Sequence, residues 1–158
     1  MPNKKEISKE NSIAAILEAA TREFAEVGYQ KATTRSIAAA AGVSNGLITK
    51  YFASKEALLA TIVEQDKLAK LYAGNTETDP YRIFCFYLDY VRKKQREDPV
   101  RFKLAYRMAN DPDFPNSLND VTRKSFAGSP IEKAVIQMQQ AGELRQGDPL
   151  EIFKETLI

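Results

Sequence analysis

Histidine and tryptophan are absent from this chain of 158 residues, and Cys85 is its single cysteine. Zinc sites built from Cys and His, catalytic triads that use His, and an internal disulfide framework are therefore excluded within the chain. No apolar run approaches the roughly 18 residues that a membrane-spanning helix needs. The first residues, from Met1 to Glu6, lack the apolar core of a signal peptide, so we expect a cytoplasmic location.

The overall charge is nearly balanced. The chain has 23 basic and 21 acidic residues, for a formal net charge of +2, so only a local concentration of charge could indicate a polyanionic partner. Gly42 and Gly46 are too few and wrongly spaced for a phosphate-binding glycine loop, which disfavours a nucleotide-dependent enzyme. We expect neither a metal nor a cofactor.

The positions of proline and the apolar spacing predict an all-α fold. Apolar residues recur at intervals of three and four, and no segment alternates as a strand would. Proline at the first position of a helix, after a capping Asp or Ser, is a strong helix start. Five such pairs occur, but Pro115 close behind Asp111-Pro112 indicates a loop at that pair. The other four predict helix starts: Asp79-Pro80, Asp98-Pro99, Ser129-Pro130 and Asp148-Pro149. A further helix is expected near residues 116–127, and Cys85 is expected to pack in the interior.

The sequence of the first half of the chain predicts four helices separated by short turns. Gly28 is expected to end the first helix, and Gly42 to separate two short ones. The fourth is a connecting helix that should end near Gly74. Three hydroxyl residues are assigned to the N-caps of the second, third and fourth helices: Thr33, Ser44 and Ser54.

Residues 33–52 have the pattern of a helix-turn-helix. Ala38 and Ala41 are small enough to let two helices approach, and Gly42 allows the positive φ of a tight turn. Ile37, Ile48 and Phe52 provide apolar anchors. The outer face of the second helix is then assigned to five residues: Asn45, Leu47, Thr49, Lys50 and Tyr51.

A local positive charge accompanies this motif. Between Val27 and Lys55 the chain carries four basic residues and no acidic one. Such a segment is typical of a surface that binds phosphates. The alternative is a helical hairpin whose basic face is merely solvated. The four basic residues are Lys31, Arg35, Lys50 and Lys55.

From Ile13 to Leu58 the chain resembles the TetR family of transcriptional repressors. The matching motifs, in order and spacing, include Gly28-Tyr29, Ala41-Gly42-Val43-Ser44, Tyr51-Phe52 and Ser54-Lys55-Glu56-Ala57-Leu58. The resemblance implies an N-terminal DNA-binding domain over residues 1–55 and a helical effector-binding and dimerisation domain over residues 56–158. It also implies a double-stranded DNA operator, a small-molecule effector and a homodimer.

The resemblance also implies roles for individual residues of the motif. Thr33, Tyr51 and Lys55 would bind DNA phosphates, whereas Asn45, Leu47 and Lys50 would face base edges in the major groove. Thr49 departs from the family pattern, which has tyrosine at that position in contact with a phosphate. A threonine has a shorter reach, and its role is therefore open.

Aromatic residues concentrate after Pro80. Since the resemblance implies an effector pocket among the helices of the second domain, a set of six residues is assigned to its lining, with ordinary core packing as the alternative for each. Tyrosines are the better candidates, because a buried phenol needs a hydrogen-bond partner that a ligand can supply. The set is Phe84, Tyr87, Tyr90, Phe102, Tyr106 and Met138.

The sequence therefore predicts a DNA-binding regulator, with repression as the action that the resemblance implies. One alternative is a small-molecule-binding or interaction protein of the same fold with weak or no DNA binding. A helical enzyme is a second alternative, and it would have to work with carboxylates, tyrosines and Cys85. The apolar helical pattern that begins after Pro149 is still continuing at Ile158, the last residue. We therefore expect either that these residues are part of a longer protein or that the chain is a short family member that dimerises poorly.

Overall fold

The computed structural model describes residues 4–65, 76–115, 123–124 and 126–156. These residues form eight α-helices and no strand, which confirms the predicted all-α class. No helix among them is both long and apolar enough to cross a membrane. In chain order the helices are α1 (Lys4–Glu26), α2 (Thr34–Ala40), α3 (Asn45–Tyr51), α4 (Lys55–Gln65), α5 (Pro80–Glu97), α6 (Pro99–Asn110), α7 (Pro130–Gln140) and α8 (Pro149–Glu155).

The chain divides into two compact units. Unit 1 consists of residues 1–65 and 98–115, and it contains α1 to α4 together with α6. Unit 2 consists of residues 66–97 and 116–158, and it contains α5, α7 and α8. The predicted division near residue 55 concerns function rather than compactness, and it stays a prediction.

The four helix starts predicted from proline are confirmed, since α5, α6, α7 and α8 each begin at a proline. The preceding residue caps the helix in each case. For example, the Asp98 carboxylate accepts a hydrogen bond from the Arg101 amide at 3.1 Å, and the Ser129 hydroxyl accepts one from the Glu132 amide at 3.2 Å. Most of the helix predicted at 116–127, the Gly74 end of the connecting helix and the last two residues lie outside the described residues.

The predicted turns of unit 1 are confirmed, with one correction. Gly28 follows α1 with a φ of +94°, and Gly42 lies between α2 and α3 with a φ of +67°. Ser44 occupies the N-cap position of α3, but its side chain makes no capping hydrogen bond. The reason is that the Leu47 amide donates instead to the Ser44 carbonyl at 3.0 Å, so the backbone alone closes the first turn.

The core of unit 1 is formed by buried side chains of α1, α2, α3 and α4. Helix α1 contacts α2, α4 and α6, and α2 contacts α3. Burying a large aliphatic or aromatic side chain stabilises a fold by about 1.5–3 kcal/mol. The largest fully buried side chains of this unit are Ile16, Phe24, Ile37, Ile48, Leu58 and Leu59.

The core of unit 2 is centred on the Phe153 ring of α8. Its centroid lies 4.9 Å from that of Tyr87 in an edge-on arrangement and 5.4 Å from that of Phe126. Ile83 of α5 is buried in the same cluster. The interior position predicted for Cys85 is wrong, because its side chain is exposed. Cys85 follows Ile83 by two residues, which corresponds to a rotation of about 200° around the helix axis. Its side chain therefore lies on the side of α5 opposite to Ile83.

Candidate nucleic-acid interface

The turn before α2 is fixed by reciprocal capping. The Thr33 hydroxyl accepts from the Ser36 amide at 3.0 Å, and the Ser36 hydroxyl accepts from the Thr33 amide at 3.1 Å. The Ser36 hydroxyl in turn lies 2.9 Å from a carboxylate oxygen of Glu23 on α1. Because this arrangement uses the Thr33 oxygen as an acceptor, the Thr33 hydroxyl proton remains available to an external acceptor.

Helix α3 buries one face and exposes the other. Ile48 is 1% exposed and Phe52 is 9% exposed, as expected of the two anchors. Among the five residues assigned to the outer face, Asn45, Thr49 and Lys50 are exposed. Leu47 and Tyr51 are half-buried instead, because they flank the anchored side of a helix of only seven residues.

Thr49, where the chain departs from the family pattern, forms a hydrogen bond within its own helix. Its hydroxyl donates to the Gly46 carbonyl at 3.0 Å. A threonine that donates to a carbonyl one turn earlier keeps only its acceptor capacity for an external group. In this conformation Thr49 therefore has no proton to offer a DNA phosphate.

The four basic residues of the motif differ in their surroundings. Lys31, Arg35 and Lys50 are exposed, and none of them forms an ion pair with another described residue. The Lys50 ammonium lies 5.7 Å from the centroid of the Tyr51 ring. These three cations carry positive charge at the protein surface, as a phosphate-binding face requires.

The ammonium group of Lys55 contacts its own chain. It donates to the Tyr29 carbonyl at 2.7 Å and to the Ala32 carbonyl at 3.1 Å. It also lies 4.1 Å from the centroid of the Tyr29 ring. Two of the three N–H donors of Lys55 are thus engaged with the turn between α1 and α2.

Glu56, the next residue, binds the other end of Tyr29. The Tyr29 hydroxyl donates to a carboxylate oxygen of Glu56 at 2.5 Å. This hydrogen bond lowers the pKa of Glu56, whereas burial and the same partner raise the pKa of Tyr29. We call Tyr29, Ala32, Lys55 and Glu56 the Tyr29 clamp, because they fasten the first turn of α4 to the turn before α2.

Helix α6 also contacts the end of α1 through two cationic side chains, a feature that the sequence did not predict. The Lys103 ammonium lies 2.7 Å from a carboxylate oxygen of Glu26, and an Arg107 guanidinium nitrogen donates to the Ala25 carbonyl at 3.2 Å. Beyond α6, the Phe114 ring lies 5.7 Å from that of Tyr29. Lys103 and Glu26 are 77 residues apart, so no local sequence pattern could have predicted their ion pair.

The six residues assigned to an effector pocket fall in both units. Phe102 and Tyr106 belong to unit 1, and Tyr106 is 59% exposed. Phe84, Tyr87 and Tyr90 lie on α5 in unit 2, and Met138 lies on α7, which packs against α5. Phe84 and Tyr87 are partly buried against the core cluster of unit 2.

Tyr87 has the surroundings that a ligand-binding phenol would need. Its ring packs edge-on against Phe153, and burial raises the pKa of Tyr87 to about 12. Among the described residues, no group forms a hydrogen bond with its hydroxyl. The Tyr90 ring, 6.4 Å away, is its aromatic neighbour on the same helix.

Comparison with known proteins identifies the family. Residues 16–62 match the family described as bacterial regulatory proteins, tetR family, and this segment covers α2, α3, the last 11 of the 23 residues of α1 and most of α4. Over residues 16–62, the chain is a member of the tetR family of bacterial regulatory proteins. This result confirms the resemblance found in the sequence.

The similarity to curated relatives extends beyond the segment that matches the tetR family. The HTH-type transcriptional repressor AcnR of Corynebacterium efficiens is 27% identical over 152 residues, which cover 90% of this chain and 74% of AcnR. The HTH-type transcriptional repressor Rv1474c of Mycobacterium tuberculosis is 27% identical over 141 residues, which cover 88% of this chain and 72% of Rv1474c.

Solved structures of TetR-like regulators share the fold. HlyIIR, described as a hemolysin II transcriptional regulator, superimposes with a TM-score of 0.69 at 22% identity and covers 94% of this chain and 84% of its own. NalD, described as the secondary repressor of the MexAB-OprM multidrug efflux pump in Pseudomonas aeruginosa, superimposes with a TM-score of 0.67 at 21% identity and covers 96% of this chain and 80% of its own.

Proposed function

We propose that the protein is a DNA-binding transcriptional repressor whose α3 helix lies in the major groove of an operator. The observation that supports this proposal is the burial pattern of α3. Ile48 is buried, whereas Asn45, Thr49 and Lys50 are exposed. The major groove of B-DNA is about 12 Å wide and admits an α-helix. The buried face of α3 anchors it to the protein, and its polar face can then contact base edges.

Individual side chains supply the two kinds of DNA contact. Asn45 suits a bidentate hydrogen-bonded pair with adenine, Lys50 donates to guanine, and the exposed part of Leu47 suits a thymine methyl group. Thr33 and Tyr51 offer hydroxyl protons to phosphates.

The exposed cations Lys31 and Arg35 add sequence-independent attraction to the DNA backbone. Their contribution weakens as salt rises, because each phosphate contact releases counterions. Base contacts by α3 then decide which site is occupied.

A homodimer would place two α3 helices on one face of the DNA. Two half-sites separated by one helical turn, about 34–36 Å, or a multiple of it, are required for simultaneous contact. We expect the operator to be a pseudo-palindrome with that spacing. A cytoplasmic location follows from the proposed DNA target.

A small-molecule effector is proposed to bind unit 2 beside Tyr87. The hydroxyl of this partly buried phenol lies next to the Tyr90 ring and forms no hydrogen bond with the other described residues, which favours a mostly apolar ligand with at least one hydrogen-bond acceptor. By linkage, an effector that binds better to the DNA-free conformation lowers operator affinity by the same factor as DNA lowers effector affinity.

The hydrogen bond within α3 at Thr49 supports a second candidate, a regulator of the same fold that binds DNA weakly and responds mainly to a ligand or partner. Thr49→Tyr separates the two. In the weak-binding case a tyrosine that reaches a phosphate raises DNA affinity severalfold, whereas in the repressor case affinity is already high and changes little.

Selection of genomic DNA fragments by the purified protein tests the proposed function. We expect enrichment of one pseudo-palindromic site, and we expect Asn45→Ala to alter the enriched sequence at one position of each half-site. Asn110→Ala is the matched control, since Asn110 is exposed on α6 and its side chain donates to the Tyr106 carbonyl. Fragments recovered without a common sequence would contradict the proposal.

A further inference from the structure

Lys55 lies in an electrostatically unfavourable position for a cation. It is the first residue of α4, where the positive end of the helix dipole disfavours positive charge. Glu56 beside it is favoured there for the same reason. A lysine kept at such a position needs compensation from nearby negative groups.

That compensation comes from the turn between α1 and α2. The carbonyls of Tyr29 and Ala32 accept from the Lys55 ammonium at 2.7 and 3.1 Å, and the face of the Tyr29 ring lies 4.1 Å away. Carbonyl acceptors and an aromatic face are the groups that stabilise an ammonium without a carboxylate.

The acceptor residues are coupled to the helix-turn-helix. Ala32 immediately precedes Thr33, the N-cap of α2, and α2 packs against α3. Holding Ala32 therefore fixes where α2 begins and hence the direction in which α3 points. The hydrogen bond from Tyr29 to Glu56 fixes the same turn from its other side.

We propose that Lys55 is a positioning residue for DNA binding, whose ammonium fastens α4 to the turn before α2 instead of neutralising a DNA phosphate. This inference rests on the proposed function. It departs from the phosphate contact that the family resemblance implies for this position, because two of the three donors of the ammonium are already used.

The test compares the salt dependence of DNA binding in three proteins. Lys55→Met keeps the aliphatic stem and removes the donors, and we expect affinity to fall about tenfold at every salt concentration, with an unchanged slope of log affinity against log salt. Arg35→Met, the control, removes an exposed charge that the proposed function assigns to the DNA backbone, and it should lower the magnitude of the slope by about 0.9. Lys55→Arg, which keeps donors for both carbonyls, should restore most of the affinity.

Amide hydrogen exchange of the DNA-free protein provides a second measurement. The Ala32 amide donates to the Gly28 carbonyl at 3.1 Å, within the turn that Lys55 holds. Its exchange should accelerate about tenfold in Lys55→Met and stay unchanged in Arg35→Met. If Lys55→Met does not fold, Lys55→Gln, which keeps an N–H donor, replaces it in both measurements.

Two results would overturn the positioning role while leaving the proposed function intact. One is a reduced salt slope in Lys55→Met with unchanged Ala32 exchange, which would make Lys55 a phosphate contact. The other is unchanged DNA affinity of the folded variant despite faster exchange, which would make its role purely structural. Failure of the unaltered protein to bind any genomic fragment would instead overturn the proposed function, and the positioning role with it.

Discussion

Arg107 of α6 caps the end of α1 by donating to the Ala25 carbonyl at 3.2 Å. The same guanidinium lies 3.3 Å from the position that a β-carbon on residue 28 would occupy, so it covers Gly28 as well. Because α6 lies about 80 residues further along the chain, this contact ties a distant helix to the end of α1 within unit 1. Its energetic contribution can be tested directly.

Replacing Arg107 with Met should reduce the free energy of unfolding by about 1–2 kcal/mol, because an α1 carbonyl loses a charged donor in a partly buried place. Lys103→Met is the control in the same interface. The exposed pair of Lys103 with Glu26 should contribute little, since solvent screens it. Chemical denaturation of both variants measures the difference, and equal losses would show that Arg107 has no special role.

Gly28→Ala and Gly42→Ala should differ in their effect on stability. Both glycines have positive φ, so alanine is strained at either site by about 1 kcal/mol. Only at Gly28 would the new methyl group also press against Arg107, whereas nothing lies within 4 Å at Gly42. Thermal unfolding should therefore show the larger loss for Gly28→Ala, and a larger loss for Gly42→Ala would contradict this account.

Local signals in the sequence predicted much of the fold. A proline after Asp98 or Ser129 starts a helix because a capping side chain and a fixed φ act within four residues. The anchors Ile48 and Phe52 were identified for a similar reason, since helical spacing alone decides which residues share a face. The roles of the DNA-binding residues stay predictions.

Long-range contacts could not be predicted in this way. The family resemblance implies a DNA phosphate as the partner of the Lys55 ammonium. Its acceptors within the chain, the Tyr29 and Ala32 carbonyls, are backbone groups without a sequence signal. The Ser44 side chain failed as a cap because the backbone of α3 closes its own first turn.

The Tyr29 clamp should make stability depend on pH. The hydrogen bond from Tyr29 lowers the pKa of Glu56 in the folded state, so its contribution is complete above about pH 4.5, the ordinary value, and is lost as pH falls through the folded pKa. Tyr29→Phe should reduce the free energy of unfolding by about 1 kcal/mol at pH 7. The difference between the two proteins should shrink below pH 4.5, and a difference that persists at pH 3 would exclude Glu56 as its source.

Tyr87→Phe should weaken effector binding without affecting the core. The ring that packs on Phe153 is retained, and only the hydroxyl is lost, which forms no hydrogen bond within the part of the chain that the structure describes. For a ligand that accepts a hydrogen bond from this hydroxyl, affinity should fall about 3- to 10-fold. Calorimetric titration with a ligand from a screen measures this, with Tyr81→Phe as the control at an exposed tyrosine of the same helix. An unchanged affinity would place the ligand elsewhere.

Contact between α3 and base edges is tested most directly by comparing the affinity for an enriched site with the affinity for the same site altered at single base pairs. The unaltered protein should discriminate against each altered contact by about 1–3 kcal/mol. Asn45→Ala should lose this discrimination at one base pair of each half-site only, while Asn110→Ala should keep it everywhere. Equal affinity of the unaltered protein for all these sites would contradict the account.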